Sequence, residues 1–551
     1  MRIQSVTLKD GQTLKFGDFN IVIGGNAVGK TTFLLELFSL ADEKPRPRWY
    51  WFDDKSIKYS SEDALGDLKL LAGSMSTHLD GTNRFYYSQS ARNLEGKVDL
   101  DGRYRLSRTD HEKLESTIAK GEREEAEALI NQLKYRRAFL FFASCEGRLT
   151  LPNQTALTQL SQAPQDALNV LYRNPALTKR IGQKVLEQFG FHLALLDHAR
   201  SQLDMGLSRE EPPSFNDSAD DRQDEFQRIE DWKEESFVSI QNAGHGIRSM
   251  VNLLMSLLDP VNQIVLIDEP ELFIYPAQKR WLGKQLVNLA REQRKQVFLV
   301  THDPIVLQGI LDSPGRTRVL RIRTDDDGTH TLRQCDLKNL DDIGAKRNQD
   351  SYLQGLFYQR DVAVEGATDR AFYQIIVEEL MANRIENKDL GFVACGGKGG
   401  SKNVASITSQ VGLRTAFIYD FDALLFDIPL LHTIVEMIGG KFEKLDMLAG
   451  FLQERFGGDE KKIKEGTGGA DREGMKSDFV KQHLKYFEET MNELSEVGIF
   501  VLPFGSLESW APEVEPKARF AESAPDAIKA QETLRKPLEV FLDKVLRFVG
   551  C

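Results

Sequence analysis

The chain has 551 residues, too many for one ordinary hydrophobic core, so two to four domains are expected. Its 41% apolar and 28% charged content is that of a globular protein, and no segment approaches the run of about 18 apolar residues that a helical membrane span requires. A net charge of −12 repels a polyanion on average, so any nucleic acid must be held by a local basic surface or by metal ions.

Met1-Arg2-Ile3-Gln4-Ser5 runs straight into an alternating pattern and not into a signal peptide, which points to the cytoplasm and to no membrane partner. Cys145, Cys335, Cys395 and Cys551 are too scattered for a disulfide framework or a zinc site.

In chain order, Ile3, Ser5 and Thr7 alternate and turn at Asp10-Gly11 into Thr13–Phe16, a hairpin signal. Asn20–Ile23 is an apolar strand ending at glycines. Two stretches, Asp110–Arg137 and Gln165–Gln188, read as helices inserted into the first domain. Ser208–Glu235 carries many charges with Pro212-Pro213 and Asn216-Asp217-Ser218, so a mobile surface segment is expected there. A helix at Ile247–Leu258, a strand at Gln263–Ile267, a helix at Ala277–Arg294 and a strand at Gln296–Val300 then alternate, the pattern of a parallel α/β sheet. Val319–Ile322 and the turn Asp327-Gly328 suggest a closing hairpin, Leu337–Leu356 a connector, and a second α/β unit starts at Val362. The expected limits are 1–335 for a first domain with helical insertions at about 105–235, 336–357 for the connector and 358–551 for the last domain.

Gly24-Gly25-Asn26-Ala27-Val28-Gly29-Lys30-Thr31 fits GxxxxGK[ST] between an apolar strand and the helix that begins near Thr32. Glycines let backbone N–H groups curl around phosphate oxygens, Lys30 neutralises the outer phosphates and Thr31 can ligate magnesium. The expected ATP-binding set is therefore Gly24, Asn26, Ala27, Val28, Gly29, Lys30, Thr31 and Thr32. Downstream, Ile264-Val265-Leu266-Ile267-Asp268-Glu269-Pro270 puts two carboxylates at a strand end, Asp268 suited to a magnesium ion and Glu269 to polarising the attacking water. With Glu271–Pro276 and Phe298-Leu299-Val300-Thr301-His302-Asp303-Pro304, this ordered set resembles the ABC-type ATPases of the SMC and RecF kind over about Met1–Leu311. The resemblance makes His302 the histidine that senses the γ-phosphate. Where that family carries its signature motif, this chain has Ser239-Ile240-Gln241-Asn242-Ala243-Gly244-His245-Gly246: Gly244 and Gly246 can still offer N–H groups to a phosphate, but the usual serine is displaced or absent. ATP-driven closure of a dimer of heads is expected, and fast turnover is not. Gln89 is the candidate Q-loop residue.

In the last domain, Val362-Ala363-Val364-Glu365-Gly366-Ala367-Thr368-Asp369 ends a strand with one acid and sets a second a helical turn on, where Asp369 can also serve merely as a helix cap. Thr415–Tyr419 ends in Asp420-Phe421-Asp422, whose two carboxylates project from one side of an extended segment and can face one cation. Glu365, Asp369, Asp420 and Asp422 are hard oxygen ligands suited to magnesium or manganese. EGxxD followed by a strand-terminal DxD resembles the Toprim domain of topoisomerases, primases and the OLD-family nucleases. That resemblance calls for a further acid, here Glu508 after the strand Ile499–Leu502. Gly396–Lys402 is either a flexible loop or a phosphate-approaching one with Lys398 or Lys402 supplying charge; Lys517 is a candidate lysine by position alone.

An α/β ABC-type P-loop ATPase with helical insertions followed by an α/β, Rossmann-like Toprim domain is similar to the OLD (overcoming lysogenization defect) family, whose relatives include the Gabija nuclease subunit and retron-linked effectors. The resemblance implies ATP and magnesium as cofactors, a homodimer or larger homo-oligomer formed through the ATPase heads, a partner protein or RNA from a defence operon, and nicking or cleavage of DNA in antiviral defence. Glu269, His302, Glu365, Asp420 and Asp422 would carry the two reactions. The segment Val364–Asp422 also resembles the Toprim effector of the PARIS system, which leaves transfer RNA open as the substrate. A non-cleaving SMC- or RecF-like ATPase acting in repair has no use for the four acids, and an ABC transporter subunit has none for a Toprim domain.

Overall fold

The computed structural model describes residues 1–25, 27–39, 51–73, 75–76, 84–88, 103–132, 139–144, 147–149, 154–157, 167–198, 202–213, 222–259, 262–313, 317–324, 329–337, 353–385, 389–514 and 519–551. Asn26, Gln89 and Lys517, the dipeptide Asp327-Gly328 and most of the expected connector lie outside them. The chain divides into two compact units, Met1–Val22 with Gly29–Arg318, and Ile23–Val28 with Val319–Cys551.

The first unit opens with the expected hairpin, Arg2–Leu8 against Thr13–Lys15, and Phe52–Ser60 pairs with its other edge. Alternation from Ile3 does not persist as the sequence suggests. A register shift between Ile3 and Ser5 changes the phase, so that Val6 and Leu8 are buried after Ile3, and a second shift, between Val6 and Leu8, leaves that phase unchanged. The central sheet aligns Phe19–Ile23, Gln296–Val300, Ile264–Asp268 and Leu140–Ala143 in that order, all parallel. Every residue of these strands is buried, which is why they read as unbroken apolar runs.

The segment 105–235 is not simply a helical insertion. It contains the helices Arg108–Lys120, Arg123–Ile130 and Pro175–Phe189, the last capped by Asn174, begun by Pro175 and ended by left-handed Gly190. It also supplies Leu140–Ala143, a strand of the central sheet, and the hairpin His192–His198 with Gln202–Ser208. Four apolar residues are too few to tell a buried strand from a helix turn by periodicity, so only pairing with Ile264–Asp268 decides. The expectation of a mobile segment at Ser208–Glu235 fails for Arg222–Ser236, which is a helix. One face is enough to hold it: Trp232 packs on Ala194 and Leu196 and lies 6.0 Å from the Phe237 ring.

Thr317–Thr324 and His330–Leu337 are neighbours, as the hairpin signal required, and all but Thr317 and Arg318 of their residues belong to the second unit. Its main sheet orders Leu390–Ala394, Arg360–Val364, Thr415–Tyr419 and Ile499–Val501, again all parallel. Helices Ala367–Leu380 and Lys398–Gln410 make the crossovers, and the C-terminal helix Glu532–Val549 lays Leu538, Phe541, Leu542, Val545, Leu546 and Val549 into the core. Among the described residues no helix is long and apolar enough to cross a membrane.

Candidate nucleotide and metal sites

In parallel α/β sheets, ligands gather at the carboxyl ends of the strands. In the first unit those ends carry Asp268 and, after Val300, Thr301 and His302, while the helix Lys30–Ser39 presents its N-terminus from the phosphate-binding loop. Ala27 (φ 59°) and Gly29 (φ 87°) adopt the left-handed backbone that turns successive N–H groups toward one point. Lys30 and Val28 are buried, and Thr31 and Thr32 are exposed. The Trp51 indole donates to the Gly29 carbonyl at 3.3 Å.

The Thr31 hydroxyl donates toward both Asp268 carboxylate oxygens, at 3.1 and 3.2 Å, so the two expected magnesium ligands are brought together. Burial, reinforced by the neighbouring Glu269 charge, pushes the Asp268 carboxyl up to about 6, against the pull of Thr31, Arg148 and Lys30. His302 Nε2 lies 2.9 Å from Glu269 Oε1. Burial and the Lys30 charge lower the His302 pKa, with Glu269 opposing both. Glu269 itself has φ 47°, uncommon for a residue with a side chain.

Gly244 caps the helix His245–Leu258 and has open space where a side chain would stand. Gly246 is different: a Cβ there would lie 2.5 Å from the Phe273 carbonyl, so close backbone packing already demands glycine.

Two residues near this site carry roles that sequence reasoning missed. Glu271 is buried; its Oε1 accepts from the Thr301 hydroxyl at 2.9 Å and from the His302 N–H at 2.8 Å. Burial pushes its carboxyl up to about 7. Arg148, in the short turn Gly147–Leu149, is fully buried and donates to the main-chain carbonyls of Asp268 and Glu269. Glu271 was within sight of the motif, whereas nothing around Arg148 in the sequence marks it.

In the second unit, Glu365 and the pair Asp420 and Asp422 follow adjacent parallel strands, and one carboxylate oxygen of each falls within 4.8 Å of the others. The Asp420 N–H donates to Glu365 Oε1 at 3.2 Å. Burial first, then repulsion by Glu365, Asp369 and Asp422, pushes Asp420 up to about 8; burial pushes Glu365 up to about 7. Such a trio is costly as bare carboxylates and satisfied by a divalent cation, and its all-oxygen donor set fits magnesium or manganese.

Asp369 and Glu508 stand outside that three-oxygen cluster. Asp369 Oδ2 accepts from Gly366 N–H at 3.2 Å, the capping role, and its pKa is raised by burial and by the Glu508 charge. Glu508 accepts from the Ser506 hydroxyl at 2.8 Å. The glycine-rich loop opens the helix Lys398–Gln410, and Lys398 Nζ sits 2.6 Å from Asp422 and 2.8 Å from Asp427. Burial works against the Lys398 charge, but Asp422 and Asp427 hold its pKa above the usual value. Lys402 is exposed. Asp427, five residues after Asp422, was not singled out in the sequence.

Comparison with known proteins follows the same two sites. Residues 172–308 match the model described as "AAA domain, putative AbiEii toxin, Type IV TA system", and residues 356–422 match the "Overcoming lysogenization defect protein-like, TOPRIM domain" model. The Old nuclease of Escherichia phage P2 is 24% identical over 206 residues, 34% of this chain and 34% of that protein. The OLD nuclease of Thermus scotoductus is 24% identical over 199 residues, 33% of this chain and 36% of that one. The alignments thus span about a third of the length of the curated relatives. An SMC head bound to the C-winged helix domain of ScpA, covering 62% of this chain and 100% of its own, reaches a TM-score of 0.34 at 10% identity, too low to bear on the fold. Fold and matches together define a P-loop ATPase domain followed by a TOPRIM domain, a make-up that implies use of a nucleotide and a divalent metal. Both curated relatives bear the name OLD nuclease, and the chain is similar to them over about a third of its length.

Proposed function

We propose that the protein is an ATP-regulated, divalent-metal-dependent endonuclease that nicks or cleaves DNA and serves in antiviral defence. The observation that carries the reading is the trio Glu365, Asp420 and Asp422, held at adjacent strand ends with the Glu365 carboxyl raised to about 7 and that of Asp420 to about 8, inside the segment matched by the OLD-like TOPRIM model. These three would hold magnesium or manganese, which when bound supplies Lewis acidity to a phosphodiester. Lys398 holds Asp422 in place and adds positive charge beside the trio, offsetting the repulsion a polyanion would meet.

At the first site, Lys30 and the loop N–H groups would bind the nucleotide phosphates, and Thr31 with Asp268 would hold its magnesium ion. Glu269, kept beside His302, would orient water for hydrolysis. Two such heads in a homodimer would set the placement of the TOPRIM domains in the cytoplasm. We take 1–335 and 358–551 as the functional domains, joined through 336–357.

The test is incubation of the full chain with supercoiled plasmid and, separately, with total transfer RNA, in magnesium or manganese, with and without ATP, alongside Asp420→Ala. Metal-dependent nicking of plasmid that disappears in the variant supports the reading, and the ATP arm gives the sign of control. Cleavage of transfer RNA alone would replace DNA by RNA as substrate. Plasmid nicking that persists in Asp420→Ala would remove the metal site from the reaction.

A further inference from the structure

The backbone at Glu269 is held from both sides by one buried side chain. A residue's φ and ψ are set by the two peptide groups flanking its Cα, and the carbonyls of those two groups are Asp268 C=O and Glu269 C=O. Arg148 donates to both, from Nη1 to Asp268 and from Nη2 to Glu269 at 2.7 Å. The guanidinium is planar and rigid, so fixing two of its nitrogens fixes the relative tilt of the two peptide planes. What it fixes is the unusual left-handed conformation of Glu269, which turns the side chain toward His302.

The guanidinium is itself anchored. Nη1 also donates to Ala143 C=O at 3.1 Å, at the end of a central strand, and Nε donates to the Ser249 hydroxyl at 3.0 Å. Ser249 is buried in the helix His245–Leu258, which begins at the signature-like Gly244-His245-Gly246. The same helix grips the Arg148 turn through Arg248 to Leu149 C=O and Asn252 to Gly147 C=O, each at 3.4 Å.

We infer that Arg148 is a positioning residue for ATP hydrolysis, aiming Glu269 and tying that aim, through Ser249, to the helix behind the signature-like segment. The inference rests on the ATPase reading above. Because the hydrogen bonds of Arg148 to the acidic turn go to its main-chain carbonyls, its loss is expected to misdirect the Glu269 carboxylate and to affect turnover more than nucleotide binding.

The experiment compares the full chain with Arg148→Lys, Ser249→Ala and Glu269→Gln, measuring kcat for ATP hydrolysis, ATP affinity by calorimetry and the melting temperature. Lysine keeps the charge but not the fork, so Arg148→Lys is expected to lose about 100-fold in kcat, as misplacement of a catalytic group by about 1 Å does, with ATP affinity kept within about threefold. Ser249→Ala removes one anchor and little volume, and is expected to lower kcat about three- to tenfold at unchanged affinity. If Arg148→Lys does not fold, the serine variant decides: unchanged kcat overturns the inference. Parallel loss of affinity and kcat in Arg148→Lys also overturns it, because that is the mark of general disruption. A wild-type chain without ATP hydrolysis, or hydrolysis undiminished in Glu269→Gln, overturns the ATPase reading and this inference with it. Hydrolysis lost in Glu269→Gln but intact in Arg148→Lys overturns the inference alone.

Discussion

Replacing Asp420 by asparagine should stabilise the metal-free protein, and more so at high pH. In the folded chain Asp420 is raised to about 8 by burial and by Glu365, Asp369 and Asp422, against about 3.9 for an unperturbed aspartate. Below pH about 4 the carboxyl is protonated in both states and carries no penalty. Above it the unfolded chain ionises while the folded one keeps its proton, so the folded chain binds more protons and stability falls until pH reaches about 8. Each unit in that window costs about 1.4 kcal/mol, or about 3 kcal/mol between pH 5.5 and 8, reduced to about 2 by the water that reaches half-buried carboxylates. Asparagine keeps the shape and removes this term. Calorimetric melting of the full chain in chelator should therefore show Asp420→Asn gaining about 4–8 °C more over the wild type at pH 8 than at pH 5.5, at about 2–4 °C per kcal/mol for a unit of this size. Added manganese should reverse the order by stabilising only the wild type. An equal gap at both pH values would refute the account of a site burdened by its own charge.

Lys30→Ala should abolish ATP binding by calorimetry while Glu365→Ala leaves it intact; loss in both would contradict two independent sites. Glu271→Gln keeps the acceptor for Thr301 and His302 N–H and should stay within about 1 kcal/mol of wild type in thermal melts, whereas Glu271→Ala strands both donors and should cost about 2–4 kcal/mol. Lys398→Met removes the cation between Asp422 and Asp427 and should destabilise the metal-free chain by about 1–2 kcal/mol at pH 7. A variant as stable as wild type would show that solvent already screens these carboxylates.

Both sites announce themselves in the sequence because each needs particular residue types at short, fixed separations. A phosphate loop requires its glycines, lysine and threonine within eight positions, and the DxD pair is legible at a strand end. The strand itself stops at Tyr419 and Asp422 is helical (φ −61°, ψ −19°), so a turn and not the period of a strand brings the two carboxylates together. The alternation of helices with unbroken apolar runs likewise defines parallel sheets buried on both faces. What the chain alone leaves open is whatever depends on distant segments meeting. A register shift after Ile3 moved burial to the other phase, at Val6 and Leu8, and pairing made a core strand of Leu140–Ala143. Packing of Trp232 turned a charged segment into a helix. Arg148 and Asp268 are 120 positions apart, and Glu365 and Asp420 are 55 apart. Local chemistry names the acids, but their distances, their raised pKa values and the guanidinium that aims one of them arise only when folding closes those loops and removes the water between them.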